Sequence, residues 1–222
     1  MSQQAPAHEW DKTFPKSDHV THEKVTFTTN FGITLVADLY KPRNAEGALP
    51  AIAVSGPFGA VKEQASGLYA QTMAERGFLT IAFDPSFTGE SGGAPRYMSS
   101  PDINTEDFLS AVDYLVCRED VDGDRVGIIG ICGWGGIALN AAAADPRIKA
   151  TLASTMYDLC RISGNGYNDS ADDAATRIAS RKLVAAQRTA DRLSGEQALT
   201  GGVADPMPDD APQFAKDYHA YY

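Results

Sequence analysis

The sequence predicts an α/β fold: a doubly wound, mostly parallel sheet entered through an N-terminal β-hairpin. Three observations predict it. The short apolar runs AIAVSG (51–56), FLTIAFD (78–84) and RVGIIGI (125–131) suit strands buried on both faces of a parallel sheet. The segments between them carry apolar residues at helical spacing. The two kinds of segment alternate strictly, the order expected of parallel strands joined by crossover helices.

Each element has its own local reason. Residues 1–22 are polar and irregular and read as a loose arm, with His8, His19 and His22 expected in solvent. EKVTFTTNFGITLVADLYKP (23–42) alternates polar and apolar residues on both sides of Asn30-Phe31-Gly32, the pattern of an antiparallel hairpin. After AIAVSG, a helix is expected over 62–77. Ala65, Leu68, Tyr69, Thr72 and Met73 share one of its faces, and Gly77 is placed to stop it. FLTIAFD leads into the turn-rich loop PSFTGESGGAPRYMSS (85–100). Ser100 can cap the next helix and Pro101 fits its first turn. Phe108, Ala111, Val112, Leu115 and Val116 form the stripe of a helix lying on a sheet, with Cys117 beside it as a structural thiol. Asp122-Gly123-Asp124 turns the chain into RVGIIGI. GWGGIALNAAAA (133–144) is an alanine-rich helix ended by Asp145-Pro146, and IKATLAS (148–154) is one more strand.

After Thr155 the character changes. MYDLCRISGNGYNDS (156–170) reads as a loop. Ser170, followed by Asp172 and Asp173, opens a polar helix to about Arg192. TGGVADPMPDDAP (200–212) is a second loop, and QFAKDYHAYY (213–222) begins another helix. No further buried strand is read. The expected regions are an arm (1–22), a partial α/β core (23–156) and a helical excursion (157–222).

Composition narrows the function. The 222 residues carry a formal charge of −10 with no Lys/Arg cluster, which argues against nucleic acid as a partner. No apolar run approaches the ~20 residues that span a bilayer, and no signal-peptide pattern opens the chain, so no membrane partner is expected. Three cysteines, Cys117, Cys132 and Cys160, without paired spacing do not make a disulfide framework and suit the reducing cytoplasm. No metal-ligand spacing is read, and no cofactor fingerprint: the chain lacks a Walker Lys-Ser/Thr pair and a GxGxxG at its first buried strand.

The motif that carries chemistry is VGIIGICGWGG (126–136). A strand, a sharp turn bearing Ser or Cys, and a helix make a nucleophile elbow, with small residues where the turn is tight. Helix N-terminal N–H groups behind the turn favour a thiolate and a developing oxyanion. On the pattern alone Cys132 as nucleophile stands beside Cys132 as a packed apolar residue, and the turn also fits a phosphate. Gly130 suits the elbow, and Gly133 suits a backbone oxyanion donor. Trp134 departs from the small residue expected there. The loop SGPFGAVKEQ (55–64) is placed to supply the second donor; Pro57 has no N–H, so Phe58 is the candidate.

GPFGAVKEQASGLYAQTMAERGF, AFDPSFTGESGGAPR, GICGWGG and STMYD, in this order, resemble the α/β-hydrolase superfamily in its dienelactone-hydrolase-related branch, and more narrowly hydrolase-like proteins with cysteine at the elbow. The likeness extends from about residue 20 onward. It implies Cys132 as nucleophile and the N–H groups of Phe58 and Gly133 as oxyanion donors. It implies that Asp84, Gly89, Ser91, Gly92, Pro95 and Arg96 shape the site, and that the segment from Tyr157 is a lid. The superfamily order is nucleophile, acid, histidine, each after a further strand. No such strands are read, so the C-terminal strands are expected to be absent from this chain, and with them the usual acid and base. Asp158 and His219 are the candidates left: Asp158 as acid or as a cap of the lid loop, His219 as base or as a surface residue.

The expected activity is attack of Cys132 on an ester, lactone or thioester carbonyl of a small molecule, through an acyl-enzyme. Acyl transfer by the same intermediate and a non-catalytic binding protein are the rival readings. The open sheet edge leads us to expect either a homo-oligomer or a further C-terminal segment.

Overall fold

The computed structural model describes residues 10–199 and 206–221; His8 and the other residues of 1–9 lie outside them. The chain divides into two units, Met1–Tyr157 and Asp158–Tyr222.

In the first unit, β1 (Val20–Thr28) and β2 (Thr34–Pro42) form the hairpin, with Thr28 opposite Thr34 and Val20 opposite Pro42. Its turn is closed at Thr29, whose carbonyl accepts the Gly32 N–H at 2.8 Å and whose hydroxyl accepts the Ile33 N–H at 3.2 Å. Gly32, at φ 76°, takes the left-handed conformation that a side chain would resist. The chain continues through β3 (Leu49–Ser55), α1 (Ala65–Glu75), β4 (Leu79–Phe83), α2 (Pro101–Val116), β5 (Val121–Ile131), α3 (Gly133–Ala144) and β6 (Ile148–Ser154). The sheet order is β1-β2-β4-β3-β5-β6. β2 runs antiparallel to β4, and β4, β3, β5 and β6 run parallel. This is the expected alternation.

Strand periodicity sorts the side chains onto two faces. Ile52, Val54, Ala82, Ile129 and Ile131 pack with Ala70 and Ala74 of α1. On the opposite face Phe83 meets Phe108 of α2 edge to face at 5.2 Å, and Phe108 meets Trp134 of α3 at 6.1 Å. Fully burying an apolar side chain of this size is worth roughly 1.5–3 kcal/mol, so the Phe83–Phe108–Trp134 stack fixes how α2 and α3 lie. α2 starts as its sequence predicts. The Ser100 hydroxyl accepts the Ile103 N–H, and Asn104 Oδ1 accepts the Ser100 N–H at 2.8 Å.

Four expectations in this unit are corrected. First, the buried residues of α1 are Ser66, Gly67, Ala70, Gln71 and Ala74, while Ala65, Tyr69 and Met73 of the expected face pack against the core only partly buried and Leu68 is exposed. The reason is close approach: a Cβ on Gly67 would lie 2.3 Å from the Lys62 carbonyl and 2.9 Å from Phe14. The larger residues instead line a cavity of about 900 Å³ with Ile52, Ile129 and Leu152. Second, the arm is docked from Trp10 onward. Phe14 is buried in the core, and the buried Gln71 amide accepts the Ser17 N–H at 3.1 Å and donates to the Pro15 carbonyl at 3.0 Å. Third, His22 is half-buried. Its ring lies between those of Trp10 and Tyr40, and its Nε2 is 2.9 Å from the buried Asp38 carboxylate. His19 is exposed, as expected. Fourth, Cys117 is an exposed C-cap of α2 and does not pack beneath it.

The second unit contains α4 (Leu159–Asn165), a 3-10 turn (Tyr167–Asp169), α5 (Ala174–Ser194) and α6 (Gln213–Tyr221). α4 stands where a loop was expected, because Asp158 caps it by accepting the Arg161 N–H at 2.9 Å and Gly166 ends it. α5 begins at Asp173, whose carboxylate accepts the Thr176 N–H at 2.8 Å; Ser170 does not cap it. Among the described residues no helix is long and apolar enough to cross a membrane.

Candidate active site

Cys132 is the single residue between β5 and α3, at φ 60° and ψ −128°. A non-glycine residue held there carries strain of order 1–3 kcal/mol and persists only where its surroundings impose it. They do. The Cys132 N–H donates to the Ser154 carbonyl at the end of β6 at 2.8 Å, and the Cys132 carbonyl accepts the Gly135 N–H at 3.0 Å. The turn is therefore pinned both to the neighbouring strand and to the helix it starts.

The glycines around Cys132 are there for space. A Cβ on Gly130 would lie 2.2 Å from the Trp134 carbonyl and 2.7 Å from Ala138, so β5 and α3 could not cross so closely with a side chain present. A Cβ on Gly135 would lie 2.4 Å from Met156. A Cβ on Gly133 would lie 2.2 Å from the Phe58 ring. The Phe58 ring thus occupies the space that a side chain at 133 would take. Trp134, the departure from the small-residue pattern, is accommodated because its side chain turns into the core, 2% exposed, against Phe58 and Phe108.

Three predicted site residues are thereby brought together. Cys132 is half-buried, Gly133 opens α3 behind it with the N–H of a helix first turn, which has no intrahelical acceptor, and Phe58 packs on Gly133 from the 56–64 turn. No hydrogen bond from the Phe58 N–H is found among the described residues. Asp158 and His219 belong to the second unit, where Asp158 caps α4 and His219 lies in the last turn of α6.

The 56–64 turn and the loop after β4 are anchored by buried polar groups. Asp84, at the end of β4, accepts the Lys62 N–H at 2.8 Å and the Glu90 N–H at 2.9 Å. Its carbonyl accepts the Ser91 hydroxyl at 2.6 Å, and Ser91 Oγ in turn accepts the Val36 N–H. Asp107 of α2 holds Ser86 by backbone and hydroxyl at 2.9 and 2.6 Å, and accepts from Asn104. Burial pushes the Asp107 carboxyl up, against the Ser86 and Asn104 hydrogen bonds that lower it. Arg96 donates to the Gly89 carbonyl at 2.6 Å and closes the loop. Lys62 was not singled out from the sequence. Its signal was a lysine that ends the apolar, glycine-bearing run GPFGAV (56–61) at the strand-to-helix turn.

Among the described residues no cluster of three or more His, Cys, Asp or Glu side chains is arranged to hold a metal ion.

Residues 32–211 match the family model of the X-Pro dipeptidyl-peptidase (S15) family, which is most of the chain. The chain belongs to that family. This S15 chain is 57% identical over 222 residues to the protein PA2218 of Pseudomonas aeruginosa, an alignment of 96% of this chain and 57% of that protein. The crystal structure of PA2218 superposes with a TM-score of 0.90 over 100% of this chain and 69% of the other. The α/β hydrolase GrgF from Penicillium sp. sh18 is 26% identical with a TM-score of 0.71, over 90% of this chain and 65% of that one. The fold is that of the α/β hydrolases. A thiohydrolase, aneE, of Aspergillus aculeatus is 29% identical over 185 residues, covering 82% of this S15 chain and 56% of that protein. The chain thus spans little more than half the length of these two curated relatives.

Proposed function

We propose that this S15-family protein is an acyl hydrolase with a cysteine nucleophile, acting on ester, lactone or thioester carbonyls of small molecules. The observation that carries the reading is Cys132 at φ 60° between β5 and α3, with Phe58 seated on Gly133. The Cys132 sulfur attacks the carbonyl carbon while its proton passes to a base. The carbonyl oxygen takes the negative charge and is held by the N–H groups of Phe58 and Gly133. Collapse expels the alcohol or thiol, which takes a proton, and leaves an acyl-cysteine. Water then attacks the acyl-cysteine, releasing the acid and the thiol. An alcohol, thiol or amine in place of water makes the same intermediate an acyl transferase. A relative bearing the name thiohydrolase favours thioesters among these substrates. The narrower likeness to the dienelactone-hydrolase branch belongs to this proposal, as does a reducing, cytoplasmic setting, which suits three thiols without a disulfide.

Removal of the sulfur is the test. Cys132→Ala and Cys132→Ser are expected to lower kcat on an activated thioester by at least about 100-fold, since the nucleophile acts only in the chemical step. Full activity in both variants overturns the proposal. Iodoacetamide supplies a second reading. Cys117 and Cys160 are exposed and Cys132 is half-buried, so faster alkylation of Cys132 marks an activated thiol. Alkylation no faster than at the other two favours a non-catalytic binding protein. His219→Ala and Asp158→Asn decide whether these candidates belong to the proton relay: unchanged kcat removes them from it.

A further inference from the structure

We propose that Lys62 is a positioning residue of the oxyanion site, gripping Asp84 with both its backbone N–H and its buried ammonium and so holding the Phe58 turn against the elbow. The inference rests on the reading of Cys132 and Phe58 given above.

The 56–64 turn meets the elbow through the Phe58 ring, which packs on Gly133 and Trp134. Its internal hydrogen bonds, Ala60 N–H to the Pro57 carbonyl at 3.1 Å, Val61 N–H to Gln64 Oε1 and Gln64 N–H to the Val61 carbonyl at 3.0 Å each, shape it locally and do not fix it to the sheet. Gly59, at φ 78° and exposed, takes the left-handed conformation at its crown. Lys62 supplies outward ties. Its N–H donates to Asp84 Oδ1 at 2.8 Å, and its Nζ donates to Asp84 Oδ2 at 3.1 Å and to Glu90 Oε2, and within the turn to Glu63 Oε1 at 2.6 Å. The docked arm adds the Thr13 N–H at 3.0 Å and the Thr13 hydroxyl at 3.4 Å, both to the Glu63 carbonyl.

The grip is rigid at the other end. Asp84 is fully buried, and a Cβ on Gly89 would lie 2.2 Å from its Oδ2, so the 84–92 loop closes directly on the carboxylate. Lys24 of β1 shares the Glu90 Oε2 with Lys62, at 2.6 Å. The Lys62 side chain is itself wholly buried. Burial alone would drive its ammonium toward neutrality, but Asp84, Glu63 and Glu90 outweigh it and keep the pKa above the ordinary lysine value. A buried ammonium bears a desolvation cost that a surface anchor avoids. What it provides here is a tie, unscreened by water, between the end of β4 and a residue four positions from the Phe58 N–H.

The test separates positioning from folding. In the intact protein, Lys62→Met lowers kcat on a thioester about 10- to 100-fold, approaching the loss of an oxyanion donor, with KM moved less than about threefold. Alkylation of Cys132 by iodoacetamide passes through no oxyanion, so its rate stays within about twofold. Lys62→Arg restores much of the lost kcat. Because Lys62→Met leaves a buried carboxylate unpaired, Lys62→Met/Asp84→Asn is measured beside it and repeats the pattern without that charge. Unchanged kcat in either folded variant, or equal loss of kcat and alkylation, overturns the proposal. An active Cys132→Ala overturns the nucleophile assignment and this proposal with it. An inactive Cys132→Ala beside a fully active Lys62→Met overturns this one alone.

Discussion

Gly133, the residue after Cys132, meets the Phe58 ring, and a side chain at 133 cannot be added without the ring moving. A methyl at 133 would enter the Phe58 ring. Gly133→Ala therefore pushes the Phe58 turn off the elbow. The expected cost is about 1–3 kcal/mol of stability, from overpacking a close contact. The better helix propensity of alanine offsets at most about 1 kcal/mol of it. Displacing a donor by about 1 Å is enough for a loss near 100-fold in kcat. Urea denaturation and thioester kinetics on the same variant check both values; a variant of wild-type kcat would show that the Phe58 N–H is not an oxyanion donor. The sequence placed Cys132 and Gly133 at the turn between β5 and α3 because a strand, a tight turn and a helix are legible in a few adjacent residues. It disclosed Trp134 only as a misfit, because the direction of a side chain into a core is set by what lies across it.

α1 teaches the opposite lesson at the scale of an element. Helical periodicity locates the helix and its end at Gly77, where φ is 99°, but it assigns the buried face by hydrophobicity. The face that approaches the sheet is instead the one small enough to do so, and it carries the polar Gln71 because that amide ties down the arm. Gln71→Ala is expected to cost about 1–3 kcal/mol, since it orphans the buried Ser17 N–H and the Pro15 carbonyl. Urea melts measure the loss. Limited trypsinolysis, with faster cleavage after the exposed Lys16, shows whether the arm is what loosens. Stability and cleavage both at the wild-type level would mean that the arm docks through Trp10 and Phe14 alone. In the second unit the same limit appears at helix starts. Asp173 rather than Ser170 caps α5, and Asp158 turns an expected loop into α4. Ser and Asp are both good caps, so which one serves depends on where the preceding chain delivers it.

A local ion pair joined by a distant lysine gives the folded molecule an acid limb. Asp120 joins Arg118 to Lys41 of β2, with its carboxylate 2.9 Å from each. The Arg118 hydrogen bond, working against burial and helped by Lys41, holds the Asp120 carboxyl at about 2. The folded value lies below the unfolded value of about 3.9, so the stability it contributes is complete above roughly pH 4 and is lost as the pH falls toward 2. Asp120→Asn is expected to flatten urea stability over that interval and leave its slope above pH 5 unchanged; an unaltered acid limb would assign it to other carboxylates. By itself the sequence determined the alternation of strands and helices, the hairpin, the elbow and the α/β-hydrolase class. Each of these is written in a period of two or 3.6, a cap or a glycine, within a few residues. Only the tertiary structure decided that the arm is docked, which face of α1 is buried, that His22 sits against Asp38, and that Lys62 reaches Asp84. Those contacts join residues 16 to 54 positions apart, and no local pattern encodes a pairing whose energy exists only once the sheet has brought both partners out of water.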